Sequence, residues 1–149
     1  MEKGNYKKFL LMLSVSFVIM YGVMFLNAYQ FDHVYLNLNR LYMALLMIGP
    51  MALVMLGFMT SMYKDKKLNA IIVGTSLVVI IGAFIMLRNQ TFVDDSGFMR
   101  SMIPHHSSAI LVSGAANLQD PEVQKLAKEI IKAQKKEIAE MKAILSRME

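Results

Sequence analysis

Histidine, methionine and one glutamate recur in the last third of the chain at spacings that could place them around a metal ion. Two adjacent histidines, His105 and His106, follow Met102 in one segment, and Glu137 precedes Met141 by about one helical turn in the next. Thioether sulfur and imidazole nitrogen are ligands that Cu(I) and the similarly soft Ag(I) prefer, whereas Zn(II) favours several histidines or carboxylates. The chain has no cysteine, so a soft-metal site would use methionine and histidine.

The first of these segments predicts a helix that begins at the N-cap candidates of residues 94–96 and ends near Asn117, with Pro104 as a kink inside it. At about 100° per residue, one face of this helix combines polar, apolar and ligand-type side chains. The face contains Asp95, Phe98, Met102, His106, Ala109 and Ser113, and is bordered by Met99 and His105.

The second segment predicts a helix from Asp120-Pro121, an N-cap followed by proline at the first helical position, to about Met148. Glu137 lies in the middle of an apolar stripe on this helix, and Gln134 lies one turn before it. The stripe contains Val123, Leu126, Ile130, Ala133, Met141, Ile144 and Met148. Burying a carboxylate in such a stripe lowers the free energy of unfolding by roughly several kcal/mol, unless the carboxylate is paired or coordinated.

The linker between the two helices is short, which predicts an antiparallel hairpin. Two helices do not enclose a core by themselves, so dimerisation into a four-helix bundle is expected. Two interpretations of the polar residues stay open at this stage. Glu137 and the histidines could bind a metal with the methionines, or Glu137 could form a structural ion pair with a histidine that fixes the register of the helices, the methionines filling gaps in the core.

Both helices resemble the domain of unknown function 305 family. Its pattern of Asp-x-x-Phe-x-x-x-Met-x-x-His-His-x-x-Ala, followed by Gln-x-x-Glu-Ile-x-x-Met, is similar to residues 95–109 and 134–141. The resemblance implies a ferritin-like helical bundle and extracytoplasmic copper or silver binding in metal tolerance. It marks Asp95, Met102, His105, His106, Gln134, Glu137 and Met141 as site positions. Leu111 and Val112 stand where many members have a methionine, and Met99 is the candidate for that missing thioether.

Three uncharged apolar segments precede the hairpin, at residues 9–26, 41–63 and 68–87. Each approaches or exceeds the roughly 20 residues that cross a bilayer as a helix. The first segment could be a signal peptide, but its length and the poor cleavage site at Leu26-Asn27-Ala28 favour an uncleaved anchor. The expected architecture is therefore all-α, with a three-span anchor in residues 1–90 and a metal-binding hairpin in residues 91–149.

Lysines flank the amino end of the first span and fill the turn between the second and third, which predicts that both lie in the cytoplasm. The amino terminus is then cytoplasmic, and the hairpin is extracytoplasmic, in the periplasm or at the outer surface of a bacterium. His33, in the outer loop, is expected to be an interfacial residue. The net charge of +5 comes entirely from residues 1–93, because residues 94–149 hold eight basic and eight acidic side chains. This distribution argues against a nucleic-acid partner.

These observations predict a membrane-anchored Cu(I)- or Ag(I)-binding protein for metal sequestration, tolerance or handover, with metal ion, membrane lipid and a second copy as partners. No catalytic set is recognisable, and no enzyme activity is expected. One alternative is a structural membrane oligomer with a polar register-setting seam. Another is a copper conduit along the methionines of the second span, for which packing is the simpler explanation. These are Met43, Met47, Met51, Met55, Met59 and Met62.

Overall fold

The structure is a computed structural model that describes residues 2–148, with side chains from Gly4 onward. The described residues form five α-helices and no strand, which confirms the all-α prediction. The helices are α1 Glu2–Val23, α2 Leu38–Phe58, α3 Lys66–Asn89, α4 Asp95–Ala115 and α5 Pro121–Met148, and a short 3-10 helix, Phe31–His33, lies between α1 and α2. The chain divides into two compact units. One contains Met1–Val23 and Asn39–Thr91, and the other contains Met24–Leu38 and Phe92–Glu149.

The first unit contains the three predicted spans. Its helices include the stretches Gly4–Val23, Leu38–Phe58 and Lys66–Asn89, each long and apolar enough to cross a membrane. The second helix begins slightly earlier than predicted and ends at Phe58 rather than at residue 63. It ends there because the chain turns tightly, the amides of Met62 and Tyr63 both donating to the carbonyl of Met59. This turn carries Tyr63 into the core of the unit, where it is 2% exposed.

Aromatic packing and hydrogen bonds join the start of α1 to the turn between α2 and α3. The ring centroids of Tyr6 and Phe9 each lie 5.2 Å from that of Tyr63. The Tyr6 hydroxyl donates to Asn69 Oδ1 at 2.7 Å and accepts from the Asp65 amide at 3.1 Å. Asp65 also caps α3, because its Oδ1 accepts from the amides of residues 67 and 68. The amino end of α1 and the α2–α3 turn therefore lie at the same end of this unit.

The two long helices of the second unit, α4 and α5, begin where the sequence predicts. Asp94 Oδ1 accepts from the Gly97 amide at 2.7 Å, and this bond holds the pKa of the Asp94 carboxyl below its ordinary value. Asp120 Oδ1 accepts from the amides of residues 122 and 123, and Pro121 is the first residue of α5. Both caps satisfy amides that have no partner within their helix. Helix α4 continues through Pro104, which is buried.

The core of the second unit is a cluster of buried apolar residues from both helices, Met99, Ile103, Ile110, Ile138 and Leu145. Tyr35, from the connection between α1 and α2, packs against this cluster. The connection is thus part of the same compact unit as the hairpin. Both must lie on one side of any membrane that the three helices cross, as an odd number of spans requires. Which side this is stays a prediction.

The lysine distribution gives that prediction a direct test. Alkaline phosphatase, which is active only outside the cytoplasm, should be active when fused to the carboxyl terminus and inactive when inserted in the Lys64–Lys67 turn. Alkaline phosphatase and a fluorescent protein, which work on opposite sides of the membrane, make a matched pair of reporters for both positions. The reverse pattern would contradict extracytoplasmic metal binding.

Candidate metal centre

His106 is a predicted ligand whose two ring nitrogens both have a partner in the structure. Its Nδ1 lies 3.0 Å from the carbonyl oxygen of Met102, one turn earlier in α4. A carbonyl oxygen only accepts hydrogen bonds, so we assign the hydrogen to Nδ1. The other ring nitrogen, Nε2, lies 3.0 Å from Glu137 Oε2 on α5. Metal-binding histidines are commonly oriented in this way, one nitrogen donating to a backbone carbonyl and the other facing the metal.

The His106–Glu137 contact is an ion pair whenever the imidazole is protonated. A contact of this length between Nε2 and a carboxyl oxygen is a hydrogen bond, with one hydrogen between the two atoms. The His106 side chain is 14% exposed and that of Glu137 is 48% exposed. Water therefore screens the pair, and its contribution to stability is on the order of 1 kcal/mol. The same Nε2 could bind a soft cation in place of the proton.

Two thioethers lie next to this pair along the hairpin. Because α4 and α5 are antiparallel, moving one turn back from His106 and one turn forward from Glu137 leads to Met102 and Met141, about 6 Å away along the helices. Both methionines are half-buried, and Met141 packs against the core cluster. His105 is exposed on the solvent side of α4, its ring 5.9 Å from that of His106 and nearly perpendicular to it.

The remaining predicted positions lie farther from the pair or inside the core. Gln134 is half-buried, one turn from Glu137 in the direction away from Met141. Met99 is 6% exposed and belongs to the core cluster, so packing accounts for it. Asp95 is exposed in the first turn of α4, beside Leu145 and Met148. Between Gly4 and Met148, no group of three or more histidine, aspartate or glutamate side chains is close enough to hold a metal ion.

The two helices contact each other through a different face from the one that the sequence emphasised. The buried face of α4 is centred near Ile103, and that of α5 near Ile138. Glu137 and Met102 each precede one of these residues and are thus rotated by about 100° from the contact. The predicted stripe on α5 therefore borders the contact, and several of its members are exposed, namely Val123, Leu126, Ala133, Ile144 and Met148.

The predicted faces of the two helices lie on the same side of the hairpin, where they form what we call the open face. For antiparallel helices, equal rotation from the contact turns both faces to one side, and the His106–Glu137 bond shows that they do so. Phe98, also exposed, belongs to the same side. The open face thus combines a histidine–carboxylate pair with exposed apolar side chains from both helices.

The opposite side of the hairpin is covered by the connection between α1 and α2. Ser107, fully buried in α4, accepts from the Tyr29 amide at 2.7 Å, and its Oγ lies 2.9 Å from His33 Nδ1. Asn27 donates to the hydroxyl of Ser108 at 3.1 Å. His33 is therefore buried against α4, and its prediction as an interfacial residue was wrong. Residue types alone gave no sign of these pairs, whose members are 74 to 81 residues apart.

The same connection also contacts α5. Lys142 donates to Asp32, and this bond lowers the pKa of the Asp32 carboxyl. Lys135 lies over the ring of Tyr29, 6.0 Å from its centroid. The pKa of His33 is below its ordinary value of 6.5, because burial disfavours the charged imidazolium and the nearby Lys142 repels it. Neutral His33 is thus the form that the folded unit favours.

Comparison with known proteins assigns this arrangement to a family. The model of a domain of unknown function, DUF305, matches residues 95–149, which include α4 and α5. The "Uncharacterized protein L153" of Acanthamoeba polyphaga mimivirus is 39% identical over 144 residues, which cover 95% of this chain and 93% of that protein. The chain belongs to the DUF305 family. The similarity to the mimivirus protein extends through residues of both units, beyond the DUF305 domain itself. No solved structure matches the chain.

The buried histidine predicts how the stability of this DUF305 protein depends on pH. Below about pH 6.5 the unfolded chain protonates His33 while the folded unit resists doing so, so the free energy of unfolding should fall as the pH is lowered. The slope attributable to His33 is at most about 1.4 kcal/mol per pH unit, until the folded His33 is itself protonated.

Thermal unfolding of the detergent-solubilised chain between pH 7.5 and 5.5, compared with a His33→Gln variant, measures this contribution. The parent should lose more stability than the variant over that range, because the variant has no imidazole at this position. A His105→Gln variant controls for loss of an exposed histidine and should follow the parent. Parallel curves for parent and His33→Gln would contradict the prediction.

Proposed function

We propose that this DUF305 protein is a membrane-anchored protein that binds Cu(I) or Ag(I) on the open face of its hairpin, in order to sequester the metal or hand it over. The observation that carries the proposal is the orientation of His106. Its Nδ1 is committed to the Met102 carbonyl, so Nε2 faces Glu137, with the thioethers of Met102 and Met141 one turn away. Three predicted spans supply the anchor.

The chemistry of the donors favours a soft monovalent ion. The residues within one helical turn of His106 and Glu137 include two methionines and a second histidine, and Glu137 supplies one carboxylate. Thioethers contribute little to binding Zn(II), Mn(II) or Mg(II), and one carboxylate with one oriented imidazole is a poor site for those ions. Cu(I) and Ag(I) make use of the sulfur atoms. The metal would be cargo, and we propose no redox or hydrolytic reaction for it.

A second copy of the chain would complete both the fold and the site. The open face leaves Leu126, Ile144 and Phe98 exposed beside the His106–Glu137 pair. Two hairpins that cover these faces by a two-fold contact would form a four-helix bundle and bring two sets of donors to one interior. If metal binds only the assembled form, metal binding should stabilise the dimer by mass action.

A structural role is the second candidate, and the same contact favours it. The His106–Glu137 ion pair could act only to fix the register of α4 against α5 in a membrane oligomer. The copper-conduit alternative receives less support. Met55 and Met59 pack against the core of the first unit, and Met43 and Met47 are exposed on its surface, as expected for methionines that fill space or face lipid.

Silver-dependent stability separates these two candidates. With free Ag(I) about 100-fold above its dissociation constant, binding should stabilise the parent by about 2.7 kcal/mol. His106→Ala should lose most of this effect, and Glu137→Leu should lose part of it. Without metal, Glu137→Leu should be about as stable as the parent, because the half-exposed ion pair contributes little. Glu129→Leu, an exposed glutamate on another face of α5, is the matched control and should respond like the parent.

The readout is the melting temperature of the full chain with and without Ag(I), with stoichiometry from metal analysis. Absence of any Ag(I) effect on the parent would refute metal binding. An equal effect in the parent and in His106→Ala would refute the site. If Glu137→Leu unfolds at much lower temperature in the absence of metal, the structural candidate is the better one.

Introduced cysteines test the pairing of open faces, since the chain has none of its own. Ala133→Cys and Ile144→Cys lie on the open face and should form disulfide-linked dimers in oxidised membranes. Ala143→Cys, exposed on the other side of α5, should stay monomeric under the same conditions. Gel mobility without reductant gives the result, and equal cross-linking at all three positions would contradict a specific interface.

A further inference from the structure

A groove runs along the surface of the first unit, between α1 and α3. It has a volume of about 270 Å³ and an almost entirely apolar lining, including Phe9, Leu10 and Leu13 from α1 and Leu68, Ile71 and Ile72 from α3. Ala52 of α2 forms part of its floor, and Thr75 and Ser76 lie at its far end. In a membrane, such a groove faces hydrocarbon, so its natural occupant is an acyl chain.

Basic side chains gather at one end of this groove. Lys7 precedes Leu10 by three residues and Lys67 precedes Ile71 by four, so each lies one helical turn from a lining residue and on the same face of its helix. Both lysines are exposed, as are Lys8, Lys64 and Lys66. They lie at the same end of the unit because Tyr6 bonds to Asp65 and Asn69.

The turn holds one acidic residue, Asp65, against the three lysines at residues 64–67, so a positive charge is left over. Asp65 Oδ1 accepts from two amides at the start of α3. The lysine cluster therefore presents a net positive charge directly above an apolar groove. A molecule with an acyl chain and an anionic headgroup matches both parts of this surface.

We propose that the groove binds an anionic phospholipid, with one acyl chain between α1 and α3 and the phosphate beside Lys7 and Lys67. The dimensions agree with this occupant. From Leu68 to Ser76 the groove extends about 12 Å along the helix axis, and the hydrocarbon of one leaflet is about 15 Å thick. The lipid site lies in the unit without the candidate metal centre, so the two proposals can fail independently.

A specific lipid site differs from the general attraction of lysines to a charged membrane surface in what it requires. General attraction needs the lysines alone, whereas the proposed site needs the groove as well. A side chain that fills the groove should therefore abolish retention of the lipid even though every lysine is still present. Thr75 is suited to this test because it lines the groove and is exposed, so a larger side chain has room to enter it.

Native mass spectrometry of the detergent-purified full chain, with equal amounts of phosphatidylglycerol and phosphatidylcholine added, measures this binding. The parent should retain phosphatidylglycerol preferentially, by about fivefold for each lysine that contacts the phosphate. Lys7→Gln/Lys67→Gln should retain both lipids equally. Thr75→Phe should retain neither. The matched controls, Lys125→Gln/Lys128→Gln on the hairpin and Val78→Phe on an exposed part of α3 outside the groove, should behave like the parent.

Equal retention of the two lipids by the parent would overturn the proposal. So would unchanged retention of phosphatidylglycerol in Thr75→Phe, because the lysines would then act without the groove. Circular dichroism and gel filtration establish whether each variant is folded. If Thr75→Phe does not fold, Thr75→Leu is a smaller change that also fills the groove.

Discussion

The apolar contact around Ile103 and Ile138 sets the rotation of α4 and α5, and the rest of the hairpin depends on that rotation. Ile103 is fully buried and Ile138 is 4% exposed. Apolar burial contributes about 25 cal/mol per Å², so a cluster of such residues exceeds what one half-exposed ion pair provides. Once these residues face each other, Glu137 and Met102 must lie about 100° away, at the border of the contact. The candidate site residues and the connection between α1 and α2 therefore lie on opposite sides of the contact between α4 and α5.

Local signals in the sequence were sufficient for the helices and their ends. Asp94 and Asp120 cap α4 and α5 because a carboxylate accepts from amides two or three residues ahead, an interaction that needs no distant partner. The three apolar segments likewise follow from length and composition alone. The end of α2 was less predictable, because Tyr63 is placed by rings on α1 and not by its neighbours in sequence.

Rotation of the helices could not be predicted from α5 alone, for a physical reason. Apolar residues occur in adjacent pairs, such as Ile130 with Ile131 and Ile144 with Leu145, so two overlapping stripes have nearly the same period. The sequence favoured the stripe centred on Glu137, and the structure buries the one centred on Ile138. Tyr35 and the α4 residues of the core cluster pack against the stripe centred on Ile138. Because these residues come from elsewhere in the chain, α5 alone does not show which of its two stripes is buried. The Ser107–His33 pair likewise depends on a partner 74 residues away.

The discontinuity of the second unit determines when it can finish folding. Met24–Leu38 is synthesised well before Phe92–Glu149, and two complete hydrophobic helices lie between these segments. At about 5–20 residues per second, the 74 residues from His33 to Ser107 take roughly 4–15 s to synthesise. Until α4 is synthesised, the His33 imidazole and the Tyr29 amide lack the Ser107 hydroxyl that they contact in the folded unit. An excised fragment that begins at Phe92 would lack both groups that contact the Ser107 hydroxyl in the whole chain, and this side of α4 would be open to water.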